Sequence, residues 1–477
     1  MNIRKWPLLL SRTSFPYAIP IVLLASVSGC AEYRPEPISA VAQAQTLDDR
    51  TLENPQLQTL LTAVGPQNRM RVDVWTLSKL TLAALYYHPD IELARSKLEI
   101  ARASVITAEQ IPNPTASADL MVSPVNISPA INFLIETFGR RGYRTAQAEA
   151  LGDAARDDIM TAAWQVRGKV RTAMLDVWAA ERRSGYLQQR SLLQDQLVQL
   201  LERRLEEGEA SALEVTRERI NRNQLSLALR DAERQDADAR ARLATAVGIP
   251  AQALEGEVLS FAAFDGEPSP FPANPSEMRR QALTTRTDVV ALLAQYRAAE
   301  SAVQLEFAKQ YPNVTLGPGY TYEPGTGSYE FTVATAADLP LFNRNQGPIA
   351  EAEARRRGIA AELTSLQAQT IGAIDIALTN YRSATAAVET ASALLAESNR
   401  RNDQVSRSLQ AGETDRPTLV SAEIELAIAE LSRFDAGVQQ RQALGALEDA
   451  LQRELFEPET KVLVPERDSS SPLESRP

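Results

Sequence analysis

The side chains that could carry out covalent or metal chemistry are few in this sequence. The chain of 477 residues has one cysteine, Cys30, and one histidine, His88. With one residue of each type, zinc sites, disulfide frameworks and Ser-His-Asp or Cys-His relays are not economical interpretations of this sequence. The sequence also offers no glycine-rich phosphate loop, so we expect no enzyme activity, no catalytic residue, no resident cofactor and no protein metal site.

Cys30 stands where a lipid-attachment reaction needs a thiol. Basic residues precede an apolar run from Tyr17 to Val27, which is too short to span a bilayer. The sequence Val-Ser-Gly directly before Cys30 resembles a bacterial lipobox. We therefore predict a lipoprotein signal peptide over 1–29 and acylation of Cys30, with palmitate-type chains anchoring an N-terminal extension over 30–74. In that pattern the residue after the cysteine decides the membrane. Because Ala31, and not aspartate, follows Cys30, the pattern predicts the outer membrane. An ordinary signal peptide that contains a cysteine is the alternative.

The charge balance and the hydropathy exclude two further classes. The chain carries 50 Lys and Arg against 61 Asp and Glu, a formal net charge of −11. Because an acidic chain repels phosphates, we expect no nonspecific binding to nucleic acid. After the N-terminal segment no apolar stretch reaches about 18 residues, so the sequence predicts no transmembrane helix in the mature chain.

Two long intervals without proline mark the largest elements. The intervals 130–249 and 349–416 contain no proline and are rich in Ala, Leu, Gln, Glu and Arg, which favour helix. They predict long helices over about 140–206 and 346–410, each about 100 Å long at 1.5 Å per residue. Apolar residues recur at multiples of seven in both, which is typical of coiled-coil packing.

The two halves of the chain repeat each other at a nearly constant offset. Phe-Gly-Arg at 138–140 corresponds to Phe-Asn-Arg at 342–344, and Gly-Glu at 208–209 corresponds to Gly-Glu at 412–413. A register held without gaps over about a hundred residues suits a helical hairpin. The predicted units are a first repeat over 75–249, an equatorial linker over 250–275, a second repeat over 276–456 and a disordered tail over 457–477.

Each repeat is predicted to contain a helix, a β-hairpin, a long helix, a sharp turn and a return helix. In the first repeat the hairpin covers about 115–136 and the return helix about 210–247. In the second repeat they cover about 314–339 and about 416–455. Apolar and polar residues alternate through both hairpins, and Pro and Gly punctuate them. Each β-segment has about the length of a membrane-crossing strand.

Four amphipathic strands in one chain cannot close a barrel. An open strand edge in hydrocarbon leaves backbone groups unpaired, at a cost of several kcal/mol each. Three chains of four strands would share a 12-stranded barrel around water, and their long helices would continue that lumen. The predicted fold class is therefore mixed α with membrane β: a long α-helical coiled-coil barrel below a shared, trimeric 12-stranded β-barrel, built from two tandem repeats.

The order of these features resembles a known family. The tandem repeat, the lipobox, the two Gly-Glu turns and the junction Leu-Pro-Leu-Phe-Asn-Arg-Asn-Gln-Gly at 339–347 together resemble the TolC-type outer-membrane efflux family. The junction is most similar to the cation-efflux, CzcC-like branch. The resemblance implies an outer membrane factor lipoprotein of a Gram-negative bacterium, anchored in outer-membrane lipid and extending into the periplasm as a homotrimeric tunnel. It also implies docking to a periplasmic adaptor (membrane fusion) protein and an inner-membrane pump, often of the resistance-nodulation-division type. The expected function is a passive exit duct for metal cations or drugs.

The resemblance also assigns roles to individual residues. It places Gly208 and Gly412 at the periplasmic tip, where the adaptor docks, although ordinary helix capping accounts for both glycines. The carboxylate pair that follows the second tip glycine in some relatives is missing, because Thr418 and Ser421 stand there. Four acidic residues remain as candidates for the tunnel entrance, with solvated helix ends as the simpler interpretation: Glu209, Glu214, Glu413 and Asp415. The residues assigned to the junction of barrel and tunnel are Phe138, Arg140, Phe342 and Arg344.

Two other functions fit parts of the pattern. The duct of a type I protein secretion system uses the same fold, and only the substrate of the partner pump would distinguish it. A lipid-anchored structural coiled coil of the envelope explains the heptads but not the alternating strands at corresponding places in both halves.

Overall fold

The computed structural model describes residues 33–64, 74–266 and 274–455. The chain divides into two compact units, Met1–Asp49 and Arg50–Pro477. The first contains helix α1 (Ala40–Asp48), which the Ser39 side chain caps. Cys30, the predicted signal peptide and the predicted tail lie outside the described residues.

Helices make up most of the second unit. In chain order they are α2 (Pro55–Val64), α3 (Leu77–Tyr87), α4 (Pro89–Glu109), α5 (Arg140–Glu206), α6 (Ala212–Val247), α7 (Ala262–Asp265), α8 (Pro275–Thr285), α9 (Thr287–Ala308), α10 (Gln346–Gln410) and α11 (Arg416–Leu451). The strands are β1 (Val74–Trp75), β2 (Thr115–Val122), β3 (Val125–Ile135), β4 (Val258–Leu259), β5 (Val314–Glu323) and β6 (Ser328–Ala337).

The same succession of elements occurs twice. His88 separates α3 from α4, and Arg286 separates α8 from α9 at the corresponding place. Each pair of helices leads into two strands, then a long helix (α5 or α10), then a return helix (α6 or α11). The two repeats differ in their surroundings, because α4 packs against α5 whereas α9 packs against both α5 and α10.

The long helices pack through the residues that recur at sevens. In α5 all of these positions are buried: Val166, Ala173, Ala180, Leu187, Gln194 and Leu201. In α10 the stripe is buried at Ile374 and Tyr381 but only half-buried at Val388 and Leu395, closer to the turn. The heptad stripe of α5 is thus buried throughout, whereas that of α10 is buried only in the part farther from the turn.

The segment between the repeats is part of the core. Its strand β4 pairs in parallel with β1, with Trp75 opposite Leu259. Phe264 of α7 is fully buried and packs near the Trp178 ring of α5, with ring centroids 6.1 Å apart. Arg441 of α11 donates to the Phe264 carbonyl at 2.8 Å, so this segment contacts both repeats in addition to connecting them.

A buried ion-pair network joins α5 to α11. Arg171 donates to the Glu448 carboxylate at 2.8 Å, to the Asp449 carboxylate at 2.6 Å and to the Gly445 carbonyl at 2.9 Å. Arg167 pairs with the same Glu448. Arg171 is 2% and Glu448 0% exposed, so their charges are compensated almost entirely by each other and by neighbouring polar groups.

Candidate functional site

The two helical hairpins end in turns of the same geometry. Gly208 and Gly412 have φ of +78° and +77°, the left-handed conformation that glycine adopts without strain. The next residue in each turn closes a Schellman motif: the Glu209 amide donates to the Arg204 carbonyl at 2.7 Å, and the Glu413 amide to the Ser408 carbonyl at 2.9 Å. The return helices then begin after Ser211 and Asp415, whose side chains cap them.

The two tips are held against each other. Arg204, before the first turn, donates to the Asp415 carboxylate after the second turn at 2.5 Å, and it lies 3.6 Å from the Glu209 carboxylate. Beneath this ion pair lies an apolar cluster formed by both hairpins: Leu197, Leu201, Val215, Val420 and Ile424. The tip is therefore one packed unit built from both repeats.

The candidate acidic residues have different surroundings. Asp415 accepts hydrogen bonds from the Thr418 hydroxyl and amide as well as from Arg204, and these bonds lower its pKa, the Thr418 hydroxyl contributing most. Glu413 accepts a hydrogen bond from Ser408 at 3.3 Å. Glu209 and Asp415 share the Arg204 guanidinium, so only part of the acidic charge at the tip is uncompensated.

A further carboxylate near the tip, Glu218, has no obvious signal in the sequence. It is 9% exposed. Burial alone would raise the pKa of Glu218, but hydrogen bonds from Asn221, Gln194 and Arg217 outweigh it and lower that pKa. Gln194 is the polar residue that breaks the apolar heptad stripe of α5, and this contact explains the break.

The first strand–helix junction links the two repeats. The Phe138 ring stacks on Tyr311 with centroids 3.8 Å apart. Arg140 donates to the backbone carbonyls of Ala308, Lys309 and Tyr311, where α9 ends. A cation that satisfies the last carbonyls of a helix stabilises its C-terminus.

The second junction presents the same residue types to the surface. Phe342 is fully exposed. The Arg344 amide donates to the Gln346 side chain at 3.0 Å, and its guanidinium is exposed. The structure thus brings Phe138 and Arg140 together with α9 and leaves Phe342 and Arg344 exposed.

The four long strands form one antiparallel sheet in the order β2-β3-β5-β6. Its residues separate onto two faces with three exceptions: Met121 and Leu134 lie among the small and polar residues, and Thr335 lies among the apolar ones. The apolar face carries Leu120, Val122, Val125, Ile127, Ile131, Phe133, Ile135, Leu316, Tyr320, Tyr322, Tyr329, Phe331 and Val333. The opposite face is mostly small or polar and includes Thr115, Ser117, Asp119, Ser128, Asn132, Thr315, Thr321, Glu330 and Thr332.

Each face has its own chemistry. On the polar face the Asn132 amide donates to Ser117 at 3.1 Å, and the Ser128 and Thr321 hydroxyls are 3.0 Å apart. On the apolar face Val122 is 78% and Phe331 74% exposed, which is costly in water. Within the described residues, β2 pairs only with β3 and β6 only with β5, so the sheet has two open edges.

Comparisons with known proteins agree with this architecture. The family model described as outer membrane efflux protein matches residues 278–452. The cobalt-zinc-cadmium resistance protein CzcC of Cupriavidus metallidurans is 24% identical over 262 residues, which are 54% of this chain and 61% of that protein. The pyoverdine export outer membrane protein OpmQ of Pseudomonas putida is 29% identical over 225 residues, 46% of this chain and 45% of that protein. The family match thus covers the second half of the chain, from α8 to the end of α11. The matched region is less than two thirds of the length of either relative.

Solved structures of membrane channels share the fold. The outer-membrane channel OprN superposes with a TM-score of 0.65 at 19% identity, covering 89% of this chain and 99% of that one. CusC superposes with a TM-score of 0.64 at 16% identity, covering 79% and 92%. The expected mostly helical channel fold with an antiparallel sheet is confirmed at this level.

Two kinds of site are absent from the part of the chain that the structure describes. None of its helices combines the length and apolar character of a membrane span. No group of three or more His, Cys, Asp or Glu side chains there is arranged to hold a metal ion.

Proposed function

We propose that this protein is the outer-membrane exit duct of a tripartite efflux system and works as a homotrimer. The observation that carries the proposal is the sheet, with a continuous apolar face on one side, hydroxyl, amide and carboxylate groups on the other, and two open edges. In a bilayer the apolar face contacts lipid and the polar face lines water.

Closure of the sheet requires further copies. Backbone groups along an open edge in hydrocarbon cost several kcal/mol each, so β6 of one copy must pair with β2 of the next. Three copies of four strands give a 12-stranded barrel wide enough for a water-filled lumen. The α5 and α10 helices, of 67 and 65 residues, would extend that lumen by about 100 Å into the periplasm.

The packed tip formed by the two hairpin turns is the proposed docking surface for a periplasmic adaptor. Gly208 and Gly412 set its backbone shape, and the ion pair of Arg204 with Asp415 fixes the two turns relative to each other. In this proposal an inner-membrane pump, coupled through the adaptor, supplies the energy, and the duct itself is passive.

The cargo proposed first is a metal cation, because CzcC is named for cobalt, zinc and cadmium resistance and the 339–347 junction is similar to that branch. The similarity to OpmQ, which is named for pyoverdine export, supports an organic cargo as the second candidate. Deletion of the gene in its host separates them: sensitivity to cobalt, zinc or cadmium salts supports the first, and retention of an organic compound with unchanged metal tolerance supports the second.

Conductance in planar bilayers tests the duct. We expect the purified full-length trimer to give stable single-channel steps. The double variant Arg204→Ala with Asp415→Ala removes the ion pair between the two turns and should give larger or more frequent steps. If both proteins remain trimeric and neither conducts, the duct is excluded.

The proposed anchor at Cys30 is tested separately by metabolic labelling with palmitate. Cys30→Ser should abolish the label and weaken retention in the membrane fraction, because the sheet alone then holds the protein. Unchanged labelling would contradict the lipobox interpretation.

A further inference from the structure

The two strand–helix junctions have the same residues but different partners within the chain. At the first junction Phe138 stacks on Tyr311, and Arg140 donates to the carbonyls at the end of α9, so repeat 1 is fastened to repeat 2. At the second junction the corresponding Phe342 is 100% exposed and Arg344 is also exposed. A fully exposed phenylalanine beside an exposed arginine lacks the apolar and carbonyl partners that the same pair has 204 residues earlier.

The helices that would receive these junctions show the complementary difference. Ala291 and Ala298 of α9, which packs between the long helices, are 2% and 3% exposed. The residues 198 positions earlier in α4, Leu93 and Ile100, are 58% and 70% exposed. Ile111, which precedes Pro-Asn as Tyr311 does, is 66% exposed. Leu93 and Ile100 are thus exposed apolar residues whose counterparts in repeat 2 are buried, and Ile111 is more exposed than its counterpart Tyr311, which is 48% exposed.

We propose that the second junction fastens each copy to the next one in the way that the first junction fastens repeat 1 to repeat 2. The Phe342 ring packs on Ile111 of the partner subunit. The Arg344 guanidinium donates to the carbonyls of Glu109 and Ile111 of the partner subunit, where its α4 ends. The Ala108 carbonyl already accepts a hydrogen bond from Arg144 of the same chain at 2.8 Å. This inference rests on the proposed trimer and specifies the residues that join its copies.

The same relation fixes the register of the strands across the interface. Within the chain Phe133 of β3 lies opposite Leu316 of β5, and Ala130 lies opposite Gly319. Residues of β3 correspond to residues 204 positions later in β6, and residues of β5 correspond to residues 200 positions earlier in β2. Applied to the pair of Phe133 and Leu316, these offsets put Ala337 opposite Ala116 of the partner subunit. A slip of one residue would turn every side chain to the wrong face, so this register is specific.

Paired cysteines in the full-length chain, in native outer membranes, test the contact. Phe342→Cys with Ile111→Cys should give covalent dimers and trimers with a short bifunctional thiol reagent. Phe138→Cys with Tyr311→Cys is the matched pair inside the chain. It should lose its free thiols while the protein still runs as a monomer on a denaturing gel. Each single variant should remain monomeric on a denaturing gel.

Three results decide the matter. Inter-subunit linkage through Phe342→Cys and Ile111→Cys, with internal linkage of the matched pair, supports the inference. If the wild-type protein is trimeric and Ala337→Cys links to Ala116→Cys, but Phe342→Cys does not link to Ile111→Cys, the inference is overturned. The proposed duct is then unaffected. A wild-type protein that is monomeric in its membrane overturns both.

A second measurement does not depend on cross-linking. Phe342→Ala with Arg344→Ala should lower the temperature at which trimers dissociate in detergent while helix content by circular dichroism stays unchanged. Arg357→Ala, an exposed residue of α10 whose ion pair is 3.9 Å long, is the control and should have no effect. An unchanged dissociation temperature in the double variant would contradict the contact.

Discussion

Arginine placed on adjacent residues of β6 gives the sharpest test of the two-faced sheet. Val333 lies in the middle of the strand on the apolar face, opposite Pro318, and is 55% exposed. Ala334 is the next residue, lies on the polar face opposite Gly317 and is also exposed. The two substitutions therefore share their strand, their depth and the introduced side chain, and differ only in the face.

The expected difference is large. An arginine that faces lipid near the middle of a membrane barrel costs about 2–4 kcal/mol, whereas one that faces a water-filled lumen has no comparable cost. Three copies per trimer bring the penalty for Val333→Arg to about 6–12 kcal/mol per assembly. That is of the order of the whole stability of a typical protein.

The assay is the fraction of heat-resistant trimer on a denaturing gel, together with the yield in the outer membrane. We expect Val333→Arg to lose the trimer and Ala334→Arg to assemble like the wild type. Val333→Leu, which keeps the face apolar, should also behave like the wild type. Equal effects of the two arginines, or a larger effect at Ala334, would refute the assignment of the faces to lipid and water.

Three further predictions concern the tips and the core. Gly208→Ala places a Cβ at φ +78° and should destabilise by about 1–2 kcal/mol, whereas Gly185→Ala, in an open mid-helix position, should stabilise by up to about 1 kcal/mol; thermal melts with the same sign for both would contradict the tip geometry. Glu448→Ala removes a carboxylate shared by buried arginines and should lower the free energy of unfolding in urea by about 3–5 kcal/mol. The control Glu454→Ala, at the rim of the network, should lower it by at most about 1 kcal/mol. Similar losses in the two variants would argue against a buried network. Because the folded-state pKa of Asp415 is lowered, its ionised form stabilises the tip at neutral pH, and this contribution is lost as the pH falls through about 4 and below; Asp415→Asn should flatten that pH dependence, and an unchanged profile would contradict it.

The large elements of the fold follow from local features of the sequence. Proline-free intervals predict helices over about 140–206 and 346–410, and the structure has α5 and α10 at Arg140–Glu206 and Gln346–Gln410. These intervals predict helices because proline removes a backbone hydrogen bond and therefore seldom occurs inside a helix. The strands likewise lie within the segments that show alternation and turn residues.

Element ends were less predictable, because they depend on capping contacts. The first return helix begins at Ala212 rather than at about 210, because the Ser211 side chain caps it after the glycine turn. The last helix ends at Leu451 rather than at about 455, where Gln452 takes a left-handed conformation. These differences of a few residues follow from single hydrogen bonds or backbone angles.

Contacts between distant segments left almost no trace in the sequence. The ion pair of Arg204 with Asp415 joins residues in different repeats, and helix-end electrostatics alone explain an arginine at 204. Glu218 and its partner Gln194 are ordinary polar residues until the hairpin closes. The asymmetry between Phe138 and Phe342 is invisible as well, because it depends on which element lies beside each junction.

An electron cryomicroscopy map of the full-length protein in a lipid nanodisc shows directly whether several copies enclose one channel. We expect three copies around a threefold axis, a bilayer belt against Leu120, Phe331 and Val333, and a continuous water-filled lumen lined by the opposite face of the sheet. Single copies whose four-stranded sheet lies outside the bilayer would contradict it.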